Sequence, residues 1–175
     1  HLMATWTDPT RQRQLLHRLV SDAAQSAFSQ AAYVSWEREA HAARAGGVVP
    51  ASRMCELWQG EMGRLFGPGV QLGDAEPWRW AAIPHFVFAR FYCYSYAFGR
   101  LMTLGLADLW RAGGQGFADA YIGLLESGGS ATPFALLEPL GVDLADPTFW
   151  ARGCSVLDGF LAELEASVSA GASGR

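Results

Sequence analysis

The residues best suited to chemistry lie between Ile83 and Gly99, where His85 and three phenols, Tyr92, Tyr94 and Tyr96, interrupt an otherwise apolar run. Histidine and tyrosine donate hydrogen bonds without the fixed positive charge of arginine or lysine, so such a group suits a developing anion or a tetrahedral species. The same residues also fit a purely structural role, in which the rings pack and the hydroxyls bond backbone carbonyls. On a helix starting near His85, the residues His85, Phe88, Tyr92, Tyr96, Gly99 and Thr103 share one face.

Other candidates are weaker. His41 follows Glu37 by one turn, a spacing compatible with metal ligation, but among Arg38, Glu39 and Arg44 a solvated histidine is the simpler expectation. His17 has no ligand set around it. Gly128-Gly129-Ser130 lacks the strand and the lysine of a phosphate loop and reads as a helix stop. Cys55, Cys93 and Cys154 are odd in number, widely spaced and without a Cys-x-x-Cys pair, so they predict small buried hydrophobes in a reducing, cytoplasmic setting. No metal-binding set is expected in this chain.

Long helices must carry these residues. Asp8-Pro9 is a cap followed by the residue favoured at the first helical position, and the chain then runs without Gly or Pro to Gly46-Gly47, predicting one helix of about 35 residues or two collinear ones. A second helix opens near Pro50 and Ser52 and stops at Gly67-Pro68-Gly69. Residues 70–84 read as a loop anchored by Trp78 and Trp80. A long apolar helix is expected from about Val87 to Arg111, stopped by Gly113-Gly114, then a shorter one over Phe117–Leu125. Thr132-Pro133 opens a brief helix broken at Pro139 and Gly141, and Asp146-Pro147 launches the last, through Val168. No segment alternates with period two, so the expected class is an all-α multi-helix array with long first, central and last helices. The expected organisation is a leading segment over 1–7 with a cloning remnant before Met3, one helical domain over 8–168, and a flexible tail over 169–175.

Composition restricts the function classes. The 175 residues are 50% hydrophobic and 17% charged with a net charge of −4, the opposite of a disordered chain. Thirteen arginines against 17 acidic residues, with no basic run, leave no footprint for nucleic acid. The longest uncharged run in the most apolar region is Phe91–Gly99, far short of the roughly 20 residues that span a membrane, and no secretory leader is visible.

His85-Phe86 followed by Phe91-Tyr92-Cys93-Tyr94-Ser95-Tyr96-Ala97-Phe98-Gly99 resembles a C-terminal signature of oligoendopeptidase F, a member of the thimet-oligopeptidase-like zinc metallopeptidases. Phe28, Gln30, Trp36-Glu37 and His41 are similar to that family's Phe-x-x-Gln and Phe-Glu-x-x-x-His helix, with Trp replacing Phe. Trp80-Ala-Ala-Ile-Pro-His85, Leu124-Leu-Glu-Ser-Gly-Gly-Ser130, Gly141-Val-Asp-Leu144 and Asp146-Pro-Thr-Phe-Trp150 extend the match, in order, over residues 8–168.

The resemblance implies a piece of a zinc-dependent oligopeptidase. It places His85 beside the substrate as a catalytic residue with Tyr92 or Tyr94 hydrogen-bonding the oxyanion; Tyr96 is a further candidate in that role or a substrate contact, and Arg90, where the chain departs from the family, either contacts a peptide carboxylate of the substrate or faces water. Family members commonly carry Pro where this chain has Arg90 and Tyr where it has Val87, which alters the cleft near His85. In the family, zinc sits on a His-Glu-x-x-His helix, and none of His1, His17, His41 and His85 begins such a motif. The expectation is therefore a chain that binds no cofactor of its own, lacks peptidase activity alone, takes part in binding an oligopeptide, and forms a homodimer through apolar surface left exposed. A stand-alone helical interaction module derived from the same scaffold is the competing expectation.

Overall fold

The computed structural model describes residues 8–173; the expected leading segment 1–7 and the very end of the expected tail lie outside them. The protein is 81% helical and, among the described residues, contains no strand, so the class is all-α as the periodicity predicts. In order come α1 (Pro9–Ala23), a π-helical stretch (Ala24–Ser29), α2 (Gln30–Ala45) and α3 (Ala51–Phe66). A 3₁₀ segment (Glu76–Ala82) leads to the short α4 (His85–Phe88), then α5 (Tyr94–Ser127), α6 (Pro133–Leu137) and α7 (Pro147–Ser173). Contacts group the described residues into two compact units, residues 23–98 and residues 8–22 with 99–173.

The unit of residues 23–98 is built around aromatic rings. Tyr33 and Trp36 lie on one face of α2, and Met54, Trp58 and Met62 on one face of α3, and these stripes bury each other together with Cys93. Trp58 is fully buried and donates from Nε1 to Glu76 Oε1 at 3.3 Å, tying the 3₁₀ segment to α3. Trp36 donates to the Met54 carbonyl at 3.2 Å and stacks on Trp80 at 5.4 Å between centroids. Trp80 therefore anchors the irregular stretch as expected, whereas Trp78 is exposed. Glu61 is also buried; burial raises its carboxyl above the usual range, an effect opposed by Arg64, to which it is hydrogen-bonded.

The other unit closes by close backbone approach. A methyl group added at Gly153 of α7 would lie 2.7 Å from the Leu101 carbonyl oxygen of α5, and one at Gly105 would lie 2.9 Å from the Phe149 ring. Only a glycine fits at each contact. Asp146 caps α7, accepting from Thr148 N at 2.8 Å, and Asp8 caps α1 in the same way through Thr10 N at 2.9 Å.

One expectation is corrected and two are refined. The first helix runs unbroken to Ala45, as in the one-helix expectation, and carries six π-helical residues, Ala24–Ser29. Gly113-Gly114 interrupts the central helix as expected: Gly114, at the non-helical φ 59° and ψ −139°, breaks α5 at a kink, and a second helical stretch follows to Ser127. The expected apolar helix over Val87–Arg111 is broken at residues 89–93.

Candidate functional site

The break at residues 89–93 creates the site. Were the chain helical from His85 to Tyr96, these two would share a face but stand about 16 Å apart along the axis, at roughly 1.5 Å per residue. Instead α4 ends at Ala89, with φ −143° and ψ 67°, and Phe91 adopts φ 59°, the one positive value at a non-glycine among the described residues. Such a conformation costs of order 1–3 kcal/mol and persists only where the surroundings enforce it. The reversal is stitched by Tyr92 N to the Ala89 carbonyl at 3.0 Å, and α5 then starts with Ser95 N and Oγ both donating to the Tyr92 carbonyl.

His85 is thereby folded back onto the tyrosines. Its ring stacks on Tyr92 at 5.5 Å and 7°, and its Nε2 shares a 3.0 Å hydrogen bond with Tyr96 Oη, the donor being set by the imidazole tautomer. Tyr92 and Tyr96 meet edge to face at 5.5 Å. All three remain accessible: His85 is half-buried, Tyr92 is 48% exposed and Tyr96 39% exposed. Tyr94 lies apart from this group, exposed and packed on Phe98 at 6.5 Å, and Arg90 is an exposed residue of the turn. Of the residues singled out by sequence, the structure thus brings His85, Tyr92 and Tyr96 together, and leaves Tyr94 and Arg90 beside them.

Both flanks are fixed in the aromatic core. Phe86, next to His85, packs on Trp36 at 4.4 Å and on Tyr33 at 6.1 Å. Cys93, next to Tyr92, is fully buried. Its thiol is pushed up to about 11, first by burial and then by the charge of Glu37.

Glu37 is the residue that sequence reasoning passed over. It is 1% exposed, and its Oε1 accepts from the Phe91 backbone N–H at 2.8 Å; its Oε2 has no hydrogen-bond partner. The signal was its phase: Glu37 sits one turn after Tyr33 and three residues before Ala40, within the buried stripe of α2. His41, exposed as expected, rests its ring against Phe91 at 4.8 Å.

Among the described residues, no group of three or more His, Cys, Asp or Glu is arranged to hold a metal ion. No helix among them is long and apolar enough to cross a membrane.

No protein-family model matches the chain. It is 29% identical over 145 residues to the plasmid-encoded oligoendopeptidase F of Lactococcus lactis subsp. cremoris, covering 82% of this chain and 24% of that protein. The chromosomal form from the same subspecies is 25% identical over 171 residues, or 97% of this chain and 28% of the relative. An oligoendopeptidase F homolog of Mycoplasma genitalium is 38% identical over 69 residues, 39% of this chain and 11% of its own length. In three dimensions the chain superposes on crystal structures of oligoendopeptidase-F from Enterococcus faecium (TM-score 0.83, 22% identity, 96% of this chain and 32% of that one) and of a candidate peptidase from Chlamydophila abortus (TM-score 0.86, 22% identity, 95% and 28%). Over most of its length the chain is thus a homologue of proteins named oligoendopeptidase F, and it spans about a quarter of the length of the curated relatives it matches.

Proposed function

We propose that these residues form one wall of a peptide-binding cleft in an oligoendopeptidase F-like, zinc-dependent oligopeptidase, and hold hydrogen-bond donors toward the tetrahedral oxyanion of peptide hydrolysis. The observation that carries this reading is the convergence of His85, Tyr92 and Tyr96 on an accessible surface, in a chain whose relatives are named as peptidases.

With His85 in its Nε2–H tautomer, the imidazole donates to Tyr96 Oη, which leaves the phenolic O–H free to donate to a substrate oxyanion. The stacked Tyr92 ring limits rotation of His85, and its own hydroxyl is exposed to a ligand. Among the described residues no group of three or more His, Cys, Asp or Glu stands together as a ligand set. In this reading the metal, which would activate the attacking water, belongs to a His-Glu-x-x-His helix that these 175 residues do not contain.

A phosphinic peptide mimics the tetrahedral anion and tests the reading directly. Its titration into the chain should perturb the NMR resonances of His85, Tyr92 and Tyr96. Tyr96→Phe should weaken binding roughly 10- to 100-fold, the usual worth of a hydrogen bond to a charged group. No perturbation, or unchanged affinity in the variant, would count against the oxyanion role. The chain alone should not cleave an internally quenched peptide; turnover with stoichiometric zinc would overturn the placement of the metal elsewhere.

Exposed Trp110, Ile122, Leu125 and Phe134 in the other unit favour a second reading, self-association of a helical module. Light scattering at micromolar concentration should then give a dimer mass, and a monomer would dismiss it.

A further inference from the structure

We propose that Glu37 is a positioning residue for the His85, Tyr92 and Tyr96 cluster, acting through the left-handed backbone of Phe91. Phenylalanine gains nothing from φ 59° by itself, and neither glycine nor asparagine stands in the turn to ease it. With Phe91 right-handed and Ala89 returned to helical values, α4 would run into α5 and carry Tyr96 about three turns away from His85. The 3.0 Å contact between these residues therefore depends on the turn, and the turn depends on what holds Phe91.

Glu37 Oε1 provides that hold, a charge-assisted bond to the Phe91 N–H from 54 residues earlier. It is the one hydrogen bond that Glu37 makes among the described residues, since Oε2 has none. A carboxylate buried to 1% with half its accepting capacity unused is a poor choice for packing, because a leucine of similar reach would occupy the stripe without desolvating a charge. What a leucine lacks is an acceptor for Phe91. The flanking contacts complete the clamp: Phe86 and Cys93 pin both ends in the core, and the His41 ring lies against Phe91.

The role of the cluster rests on the peptidase reading; its geometry does not, and NMR of the intact chain separates the two. The His85 ring protons should resonate upfield of an exposed imidazole because of the stacked Tyr92, and the Trp58 indole N–H, bonded to Glu76, reports the core. Glu37→Gln keeps a side-chain oxygen acceptor and should keep the upfield shift. Glu37→Leu should lose it while the Trp58 resonance stays in place. An unshifted His85 in Glu37→Gln, or an unaltered one in Glu37→Leu, would overturn the proposal.

Should Glu37→Leu lose the core as well, Phe91 supplies the decision. Phe91→Gly accepts positive φ freely and should retain the signature, whereas Phe91→Val, β-branched and strongly disfavoured there, should lose it with Glu37 intact. The opposite pattern would also overturn the proposal. Loss of phosphinic-peptide binding with the His85 signature preserved would sink the peptidase reading and leave the role of Glu37 standing.

Discussion

The two units share one secondary-structure class and are held together by different means. Residues 23–98 bury indoles, a phenol and two carboxylates, and the indole hydrogen bonds tie α3 to α2 and to the 3₁₀ segment. The unit of residues 8–22 and 99–173 relies on glycines that admit a neighbouring backbone or ring. The difference teaches where chemistry settles: a core of rings and buried polar groups can hold a strained turn in place, and the candidate site grew on that core.

Four measurements would break or sharpen this contrast. The largest effect is expected in the aromatic unit, where Trp58→Ala should destabilise the protein by about 3–5 kcal/mol in urea unfolding. A loss below about 1 kcal/mol would deny the ring core its role. In the other unit Gly153→Ala should cost roughly 1–3 kcal/mol by the same assay, because the added methyl meets the Leu101 backbone and not a movable side chain. Equal stability to wild type would show that α5 and α7 separate freely.

The third measurement uses pH. The neutral Cys93 thiol is favoured in the fold, since its value is raised from 9.0 to about 11. Its contribution is complete below pH 9 and is lost as pH rises toward 11. Wild type should therefore lose thermal stability more steeply than Cys93→Ala across that window, and parallel curves would refute it. By the same burial, alkylation at pH 8 should reach the half-buried Cys154 before Cys93 or Cys55.

The smallest effect concerns the α7 cap. Bonds from Thr148 lower the Asp146 carboxyl, so its contribution is present above the ordinary carboxylate range and fades as pH falls through the lowered value. Asp146→Ala should reduce Tm slightly at neutral pH and not at all in strong acid; a difference that persists in acid would assign the effect to something other than the charge.

The legible parts of this fold were those written in local chemistry. Asp8-Pro9, Gly67-Pro68-Gly69, Thr132-Pro133, Gly128-Gly129 and Asp146-Pro147 each act within a few residues, and each marks a boundary found in the structure. The break at residues 89–93 carried no such mark, because Ala89 to Cys93 contains neither Gly nor Pro and its cause sits on α2. The π-helical residues 24–29 were equally silent, as neither Gly nor Pro falls within them. Gly113-Gly114 belongs with the legible signals, since Gly114 takes a positive φ where the central helix breaks.

For the site, residue types and neighbourhood were readable, and the partners were not. One-face helical spacing grouped His85, Tyr92 and Tyr96, and the structure groups them as well, through a reversal and not through a continuous face. Tyr94, two residues from Tyr96 and identical in type, packs on Phe98 because residues four apart on a helix share a face and residues two apart do not. Glu37 was read as a neighbour of His41 and as part of a family-like motif, without a role at the site, although its phase on α2 placed it inside the core.

The bond from Phe91 to Glu37 also sets an order of events in folding. It spans 54 residues, and closing a flexible loop of that length costs roughly 3.5 kcal/mol of chain entropy before any contact offsets it. The reversal that gathers His85 and the tyrosines is thus a late, non-local event that waits for α2 and α3 to meet. An isolated peptide of residues 83–99 would hold every side chain of the cluster and would still lack its geometry.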